Sequence, residues 1–325
     1  MGRRIVAMAL GCALTASAAA AQGQQADYPT RPVHVLAAAA PGGNPDVLAR
    51  LLSQRLAEIL GQPFVVENVP GAGGILAAKR VAASAPDGYT VMINDSAALA
   101  INITMSPDAN YTLADFTPIT ALATVPTALV VIPSVPANTI SEFVALTKSK
   151  PDAMSFGSAG AGSIHQLTME IFAERTGIKL LHVPYRGGTA LVNGLLTGEI
   201  QAGWSGLPNV VPHIGAGKLR ALCVSVLERA TSLPDVPTCD EAGIKGFDIA
   251  DMLGLQGPAG MSSPKVVERL QSAIAKIMRE PAMAERMKIL GMSLQENGTA
   301  DYVQFMKDDF ERYTKVIDRL GLRRK

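Results

Sequence analysis

Apolar runs and helical stripes alternate along residues 33–94, and no other feature of the chain limits its fold as tightly. Residues 33–40 form a continuous apolar run that reads as a buried strand, broken by Pro41-Gly42-Gly43. Leu48, Leu51, Leu52, Leu56 and Leu60 then recur at the spacing of one helix face, and Gly61 stands where a helix stops. Residues 64–67 give a second strand. The turn Pro70-Gly71-Ala72-Gly73-Gly74 opens a short Ala-rich helix that ends before Pro86, and residues 90–94 give a third strand. The order strand, helix, strand, helix, strand predicts a parallel sheet with helices on its faces.

The pattern restarts near residue 126. Strands are expected at 128–132, 155–157, 181–183 and 200–204, with helices at 141–149, 165–176 and 189–197 between them. Residues 219–226 and 252–257 are further strand-like runs, and strongly amphipathic helices follow at 264–279 and 299–320, the kind of tail that packs back across another lobe. A chain of 325 residues exceeds what one hydrophobic core usually fills, so two lobes are expected.

Arg3 and Arg4, the apolar run 5–14 and the small residues 16–21 read as a secretory signal, spanning residues 1–21, that is removed from the mature protein. The run is far shorter than the roughly 20 residues that cross a bilayer, so an anchor is not expected. This places the mature chain in the periplasm. The full sequence carries 29 basic and 28 acidic residues; losing Arg3 and Arg4 leaves 27 against 28, a net of −1. No nucleic-acid footprint fits that balance. Cys12 leaves with the signal. Cys223 and Cys239 remain, and an oxidising compartment lets them pair if their geometry allows; two buried free thiols are the alternative.

Seven ordered motifs carry a family resemblance. They are Pro41-Gly42-Gly43 with Asp46, Val66-Glu67-Asn68 with the glycine turn at 71–74, Ala85-Pro86-Asp87-Gly88-Tyr89-Thr90, His182-Val183-Pro184-Tyr185-Arg186-Gly187-Gly188, the stretch 217–222, the stretch 233–238 with Glu241-Ala242-Gly243, and Gly257-Pro258-Ala259-Gly260. In order and spacing they resemble the Bug (Bordetella uptake gene) family of tripartite tricarboxylate transporter receptors, over essentially the whole mature chain. The resemblance implies an α/β fold of the type II periplasmic binding class, a two-lobed clamshell with each lobe a mainly parallel sheet flanked by helices and the ligand held in the cleft between them. By that analogy lobe one is 28–125 plus 250–325 and lobe two is 126–249. It further implies capture of a small carboxylate (a dicarboxylate, an aromatic acid or a relative of these), no cofactor, and delivery to a transporter with a small and a large membrane subunit. A monomer is expected of a protein that opens and closes.

In open α/β sheets ligands gather beyond the carboxyl ends of the strands, which is where residues 40–43 and 157–163 fall. Both loops run into helices, whose free N–H groups and positive dipole ends hold a carboxylate without any arginine. The positions carried over are Ala40, Pro41, Gly42, Gly43 and Asp46 in the first loop and Ser158, Gly160, Gly162, Ser163 and His165 in the second. Asp46 is expected to order its own loop, since a second carboxylate repels an anion. Tyr185 is expected to point its hydroxyl into the cleft. Two segments depart from the family pattern: Trp204-Ser205-Gly206 replaces an aromatic followed by a polar pair, and Asn94-Asp95-Ser96 replaces a Gly-Thr-Ser type loop. Trp204 is expected either to stack on a flat ligand beside Ser205 or to pack in the core, while Ser96 and Asp95 stand near the mouth. These changes favour a smaller or more apolar carboxylate over a citrate-like one.

An enzyme is not expected. No Gly-x-Ser-x-Gly elbow surrounds Ser158 or Ser163, the four histidines lack zinc spacing, and Gly160-Ala161-Gly162 meets His165 where a dinucleotide fingerprint needs its third glycine. A hydrolase is thus the weaker alternative. The stronger one keeps the binding fold but docks the liganded protein on a membrane sensor domain.

Overall fold

The computed structural model describes residues 28–150, 153–261, 263–295 and 298–323. The signal expected at 1–21, with Cys12, lies outside the described residues. The chain opens with the expected alternation, β1 (Val33–Ala37), α1 (Asn44–Leu60), β2 (Phe64–Asn68), α2 (Ile75–Ala82) and β3 (Thr90–Asp95), and then adds α3 (Ser96–Met105), which was not expected, and β4 (Phe116–Val131), of which only 128–132 was expected. Then come α4 (Ile140–Ser149), β5 (Ser155–Ser158), α5 (Ile164–Thr176), β6 (Leu181–Pro184), α6 (Gly188–Leu196), β7 (Ala202–Gly206), α7 (Leu207–Gly215) and β8 (Arg220–Val224). The chain continues through β9 (Ala250–Pro258), α8 (Pro264–Met278), α9 (Pro281–Ile289), β10 (Ser293–Leu294) and α10 (Thr299–Leu320).

Helix α1 forms where the leucine stripe lies: Leu48, Leu52 and Leu56 are buried against β1 and β3. It stops at Gly61, whose φ of 74° lets its N–H close on the Ala57 carbonyl. Among the described residues ten strands join in one sheet, and the sheet is mixed. Strand β1 pairs in parallel with β2 and β3, and β5 in parallel with β6 and β7, but the centre is antiparallel through β3–β9 and β4–β9.

Strand β4 changes all its partners at one point. Through Pro126, opposite Ala250, it lies against β9, with β10 touching it at Ala123 and Thr124. From Thr127 onward it lies between β7 and β8 instead. Three hydrophobic clusters follow from this: one on each face of the β1–β3–β9 half, and a third around the β4–β7–β5 half. Helix α10 reaches across both halves. Tyr302 and Met306 are buried near β3 and β9, Tyr313 and Ile317 near β4 and α5, and Arg319 makes a bidentate ion pair with Glu174 of α5.

Cys223 and Cys239 are joined by a disulfide with Cα atoms 5.2 Å apart, so the thiols are not free.

Candidate ligand-binding site

A cavity of about 100 Å³ lies where five helices begin. Gly43 and Asn44 bring in α1, Gly73 and Gly74 α2, Asp95 α3, Ser163 and Ile164 α5, and Gly187 and Gly188 α6. Strand-to-helix turns at the carboxyl ends of β1, β2, β3, β5 and β6 put them there. Two of the five helices are capped from within: Asp95 accepts from the Ala97 N–H at 2.9 Å, and Ser163 Oγ accepts from the Gln166 N–H at 3.4 Å. The other three, α1, α2 and α6, start at glycines and carry no side-chain cap, which leaves first-turn N–H groups available. No lysine or arginine lines the cavity. What attraction for an anion the lining offers therefore comes from backbone N–H groups and helix dipoles.

Side chains with acceptor and acid chemistry face the same space. Asp251 of β9 stands one residue from the point where β4 changes partners, and its Oδ2 is 3.8 Å from His165 Nε2. Burial pushes its carboxyl up to about 7, with the Asn44 amide working the other way. Burial pushes His165 down to about 4, so the ring is neutral. Asp95 is raised well above the usual range by burial and then by the charges of Asp251 and Asp309. Asn94 Oδ1, Asn102 Oδ1, Asp251 Oδ1 and both ring nitrogens of His165 have no hydrogen-bond partner within the protein.

Contacts cross the cavity mouth. Asn209 of α7 donates to Asn44 Oδ1 at 3.3 Å, and Thr189 of α6 donates to the Pro41 carbonyl at 3.4 Å. The two glycine loops meet backbone to backbone: a Cβ on Gly73 would sit 3.3 Å from the Ala161 carbonyl oxygen, and one on Gly160 3.4 Å from the Gly73 nitrogen. Asn102 Nδ2 donates to the Gly73 carbonyl at 2.9 Å, fixing that approach.

Of the residues singled out in the sequence, Ala40, Gly43, Ser163 and His165 line the cavity, as does Asp95. Pro41 and Gly42 sit one step behind. Asp46 is also withdrawn, accepting from the Gly42 N–H at 2.8 Å, Arg50 Nε at 2.9 Å and Asn68 Nδ2 at 2.8 Å. Burial works to raise its carboxyl, and the bonds from Arg50, Gly42 and Asn68 outweigh it and hold the acid below the ordinary range.

Several expectations are corrected. Ser158 Oγ is taken up by His182 Nε2 at 2.7 Å and by the Gly160 carbonyl, and the Gly162 N–H by Gln166 Oε1 at 2.9 Å; neither these residues nor Gly160 line the cavity. Ser96 Oγ donates to the Met252 carbonyl at 3.0 Å, tying α3 to β9. The Tyr185 hydroxyl is packed against Gly194 of α6, and burial, with Glu199 nearby, raises it to about 12. Trp204 is not a cleft wall. Strand alternation turns it under α5, fully buried, stacked on Phe247 at 5.4 Å and edge-on to Phe172. Ser205, on the opposite face of β7, is buried too.

Asn44, Asn102, Asn209 and Asp251 were not anticipated. Only Asn44 carried a signal, following Pro41-Gly42-Gly43 directly. Asp251 is a single acid inside an apolar run.

A family model for the tripartite tricarboxylate transporter family receptor matches residues 48–322. Protein BugT of Bordetella pertussis (strain Tohama I) is 33% identical over 301 residues, covering 92% of each chain. The solved structure of R. palustris Rpa4515 with adipate superposes with a TM-score of 0.87 at 30% identity, covering 91% of this chain and 99% of that one. MatC (Rpa3494) of Rhodopseudomonas palustris, with bound malate, gives 0.84 at 30% identity over 89% of this chain and 100% of its own.

Proposed function

The chain belongs to the tripartite tricarboxylate transporter receptor family, a family of periplasmic solute-binding receptors, and from that premise we propose that it captures a small carboxylate in the cavity described above. One observation carries the reading. Three helices begin uncapped at glycines on a cavity wall that has no basic side chain, and such N-termini hold a carboxylate through N–H groups and dipole. Relatives with adipate and malate support the same ligand class.

In this reading residues 28–125 plus 250–325 and residues 126–249 are the two lobes. They hinge where β4 exchanges β9 for β7 and β8, between Pro126 and Thr127. Ligand closes them, drawing together Asn44 with Asn209 and Gly73 with Gly160, and the closed form delivers the solute to a transporter with small and large membrane subunits. Residues 1–21 direct export to the periplasm.

Thermal shift against mono-, di- and tricarboxylates tests this. Ligand binding only the folded state raises stability by about 2.7 kcal/mol at 100 times Kd. A saturable rise with one carboxylate class is expected, and Ala40→Trp, which fills the cavity, abolishes it. A rise that survives Ala40→Trp places the ligand elsewhere.

A further inference from the structure

We propose that His182 is a positioning residue of the binding site. By donating from Nε2 to Ser158 it commits the Ser158 hydroxyl proton to the Gly160 carbonyl, and so holds the glycine loop that opens α5 in the one shape that meets both the cavity and the facing loop. The inference rests on the carboxylate reading of the cavity and names a residue outside it that sets its geometry.

His182 does not line the cavity. It stands on β6 beside Phe156 of β5 in the parallel register, and Ser158 follows two residues on along the same face. Phe156 is buried in the core of that half and stacks on the imidazole at 4.8 Å, which holds the plane of the ring. His182 Nε2 is then 2.7 Å from Ser158 Oγ.

The protons follow from counting. Ser158 is fully buried, and its Oγ meets the Gly160 N–H at 3.2 Å, which only donates, the Gly160 carbonyl at 2.9 Å, which only accepts, and His182 Nε2, which does either. A hydroxyl has one proton to give and two lone pairs. With a proton on Nε2 all these bonds form at once. With Nε2 bare, the single hydroxyl proton faces two acceptors, and one of them goes without a donor.

What the hydroxyl holds is a turn where several parts of the site converge. Gly160 has a φ of 133°, and its carbonyl also accepts from the Ser163 N–H at 3.1 Å, where α5 begins on the cavity wall. The Tyr185 N–H donates to the Ser158 carbonyl at 2.9 Å and the Gly187 N–H to the Ala159 carbonyl at 3.1 Å, which ties the same loop to the start of α6. On its other side Gly160 packs against the Gly73 backbone. Turning the Ser158 hydroxyl toward the ring would release the Gly160 carbonyl at that point. His182 acts on the site through Ser158, without touching the ligand.

Long-range proton–nitrogen NMR of the ligand-free protein at about pH 8.5, where an ordinary imidazole is neutral, reads the tautomer directly. A proton on His182 Nε2 is expected, and a proton on Nδ1 with Nε2 bare overturns the inference. Two variants add the effect on the site: His182→Gln keeps an N–H donor near the place of Nε2, and His182→Leu removes it. Amide exchange at 159–163 is expected to stay within about twofold in His182→Gln and to quicken by about tenfold in His182→Leu, with exchange in β7 unchanged in both. Affinity for whichever of succinate, glutarate and adipate binds should follow the same order, and in a Ser158→Ala background His182→Leu should add less than about twofold. Unchanged exchange and affinity in His182→Leu, or equal quickening in β7, overturns the positioning role. Failure of all three dicarboxylates to bind counts against the carboxylate reading alone, and the tautomer and the exchange pattern decide the role of His182 without them.

Discussion

His165 Nε2 and Asp251 Oδ2 lie 3.8 Å apart with both side chains buried, one from the first turn of α5 and the other from the strand crossing beneath the cavity. Their stability effects have opposite signs. Asp251 titrates at about 7 when folded and near the ordinary 3.8 when unfolded, so the folded state holds a proton that the unfolded chain has released. Its contribution therefore rises as pH falls from about 7 toward 4. His165 titrates at about 4 when folded against 6.5, so the unfolded chain takes a proton the folded state refuses, and stability falls as pH drops through about 6.5 to 4.

The two windows overlap, and single variants separate them. Asp251→Asn is expected to lose stability on acidification below about pH 6.5, and His165→Asn to gain it below about pH 7. Thermal melts across that range check this. Parallel pH profiles in the two variants would contradict it.

Side-chain bonds across the mouth should affect binding more than folding. Asn209→Ala and Thr189→Ala each remove one such bond, worth about 1 kcal/mol, so affinity for the bound carboxylate should weaken by roughly fivefold in each. Melting of the ligand-free protein should change little, which calorimetry and a thermal melt establish together.

Trp204 should report on the core and not on the ligand. Trp204→Ala is expected to lower stability by about 3–5 kcal/mol, and Trp204→Phe by much less. The fraction that stays folded should bind with unchanged affinity. A selective loss of affinity in Trp204→Phe would return the indole to the cleft.

Reduction of the Cys223–Cys239 disulfide, which closes 16 residues, should lower stability by about 3 kcal/mol. Melting with and without a reductant measures it.

The parts legible in the sequence are those where one face is buried and one is wet. The leucine stripe of α1 and the tail helix α10 are of this kind and fold where their patterns say; β1, buried on both faces, was marked instead by its unbroken apolar run, and it ends at Ala37, before that run does. Helix α3 escaped notice because Ser96–Met105 is apolar on nearly every side, enclosed by β9, α5 and α10, and so shows no stripe. The first half of β4 was hidden by Thr117, Pro118, Thr120 and two register shifts that interrupt its alternation.

At the site, the glycine turns marked the helix starts, since close backbone approach needs them. Which side chains stand opposite is fixed by pairing between distant strands. Asp251 meets His165 because β9 lies between β3 and β4, an arrangement that no local pattern around residue 251 expresses. The side chain of Trp204 stayed open between cleft and core for the same reason: the strand end was visible, but not its facing.

The central claim is that helix N-termini, not basic side chains, hold a ligand carboxylate. A crystal structure of the protein grown with its tightest-binding carboxylate tests it most directly. The account expects a carboxylate inside the cavity, accepting from first-turn N–H groups of α1 and α6 near Asn44 and Gly188. A carboxylate held by a lysine or arginine outside that cavity would contradict it.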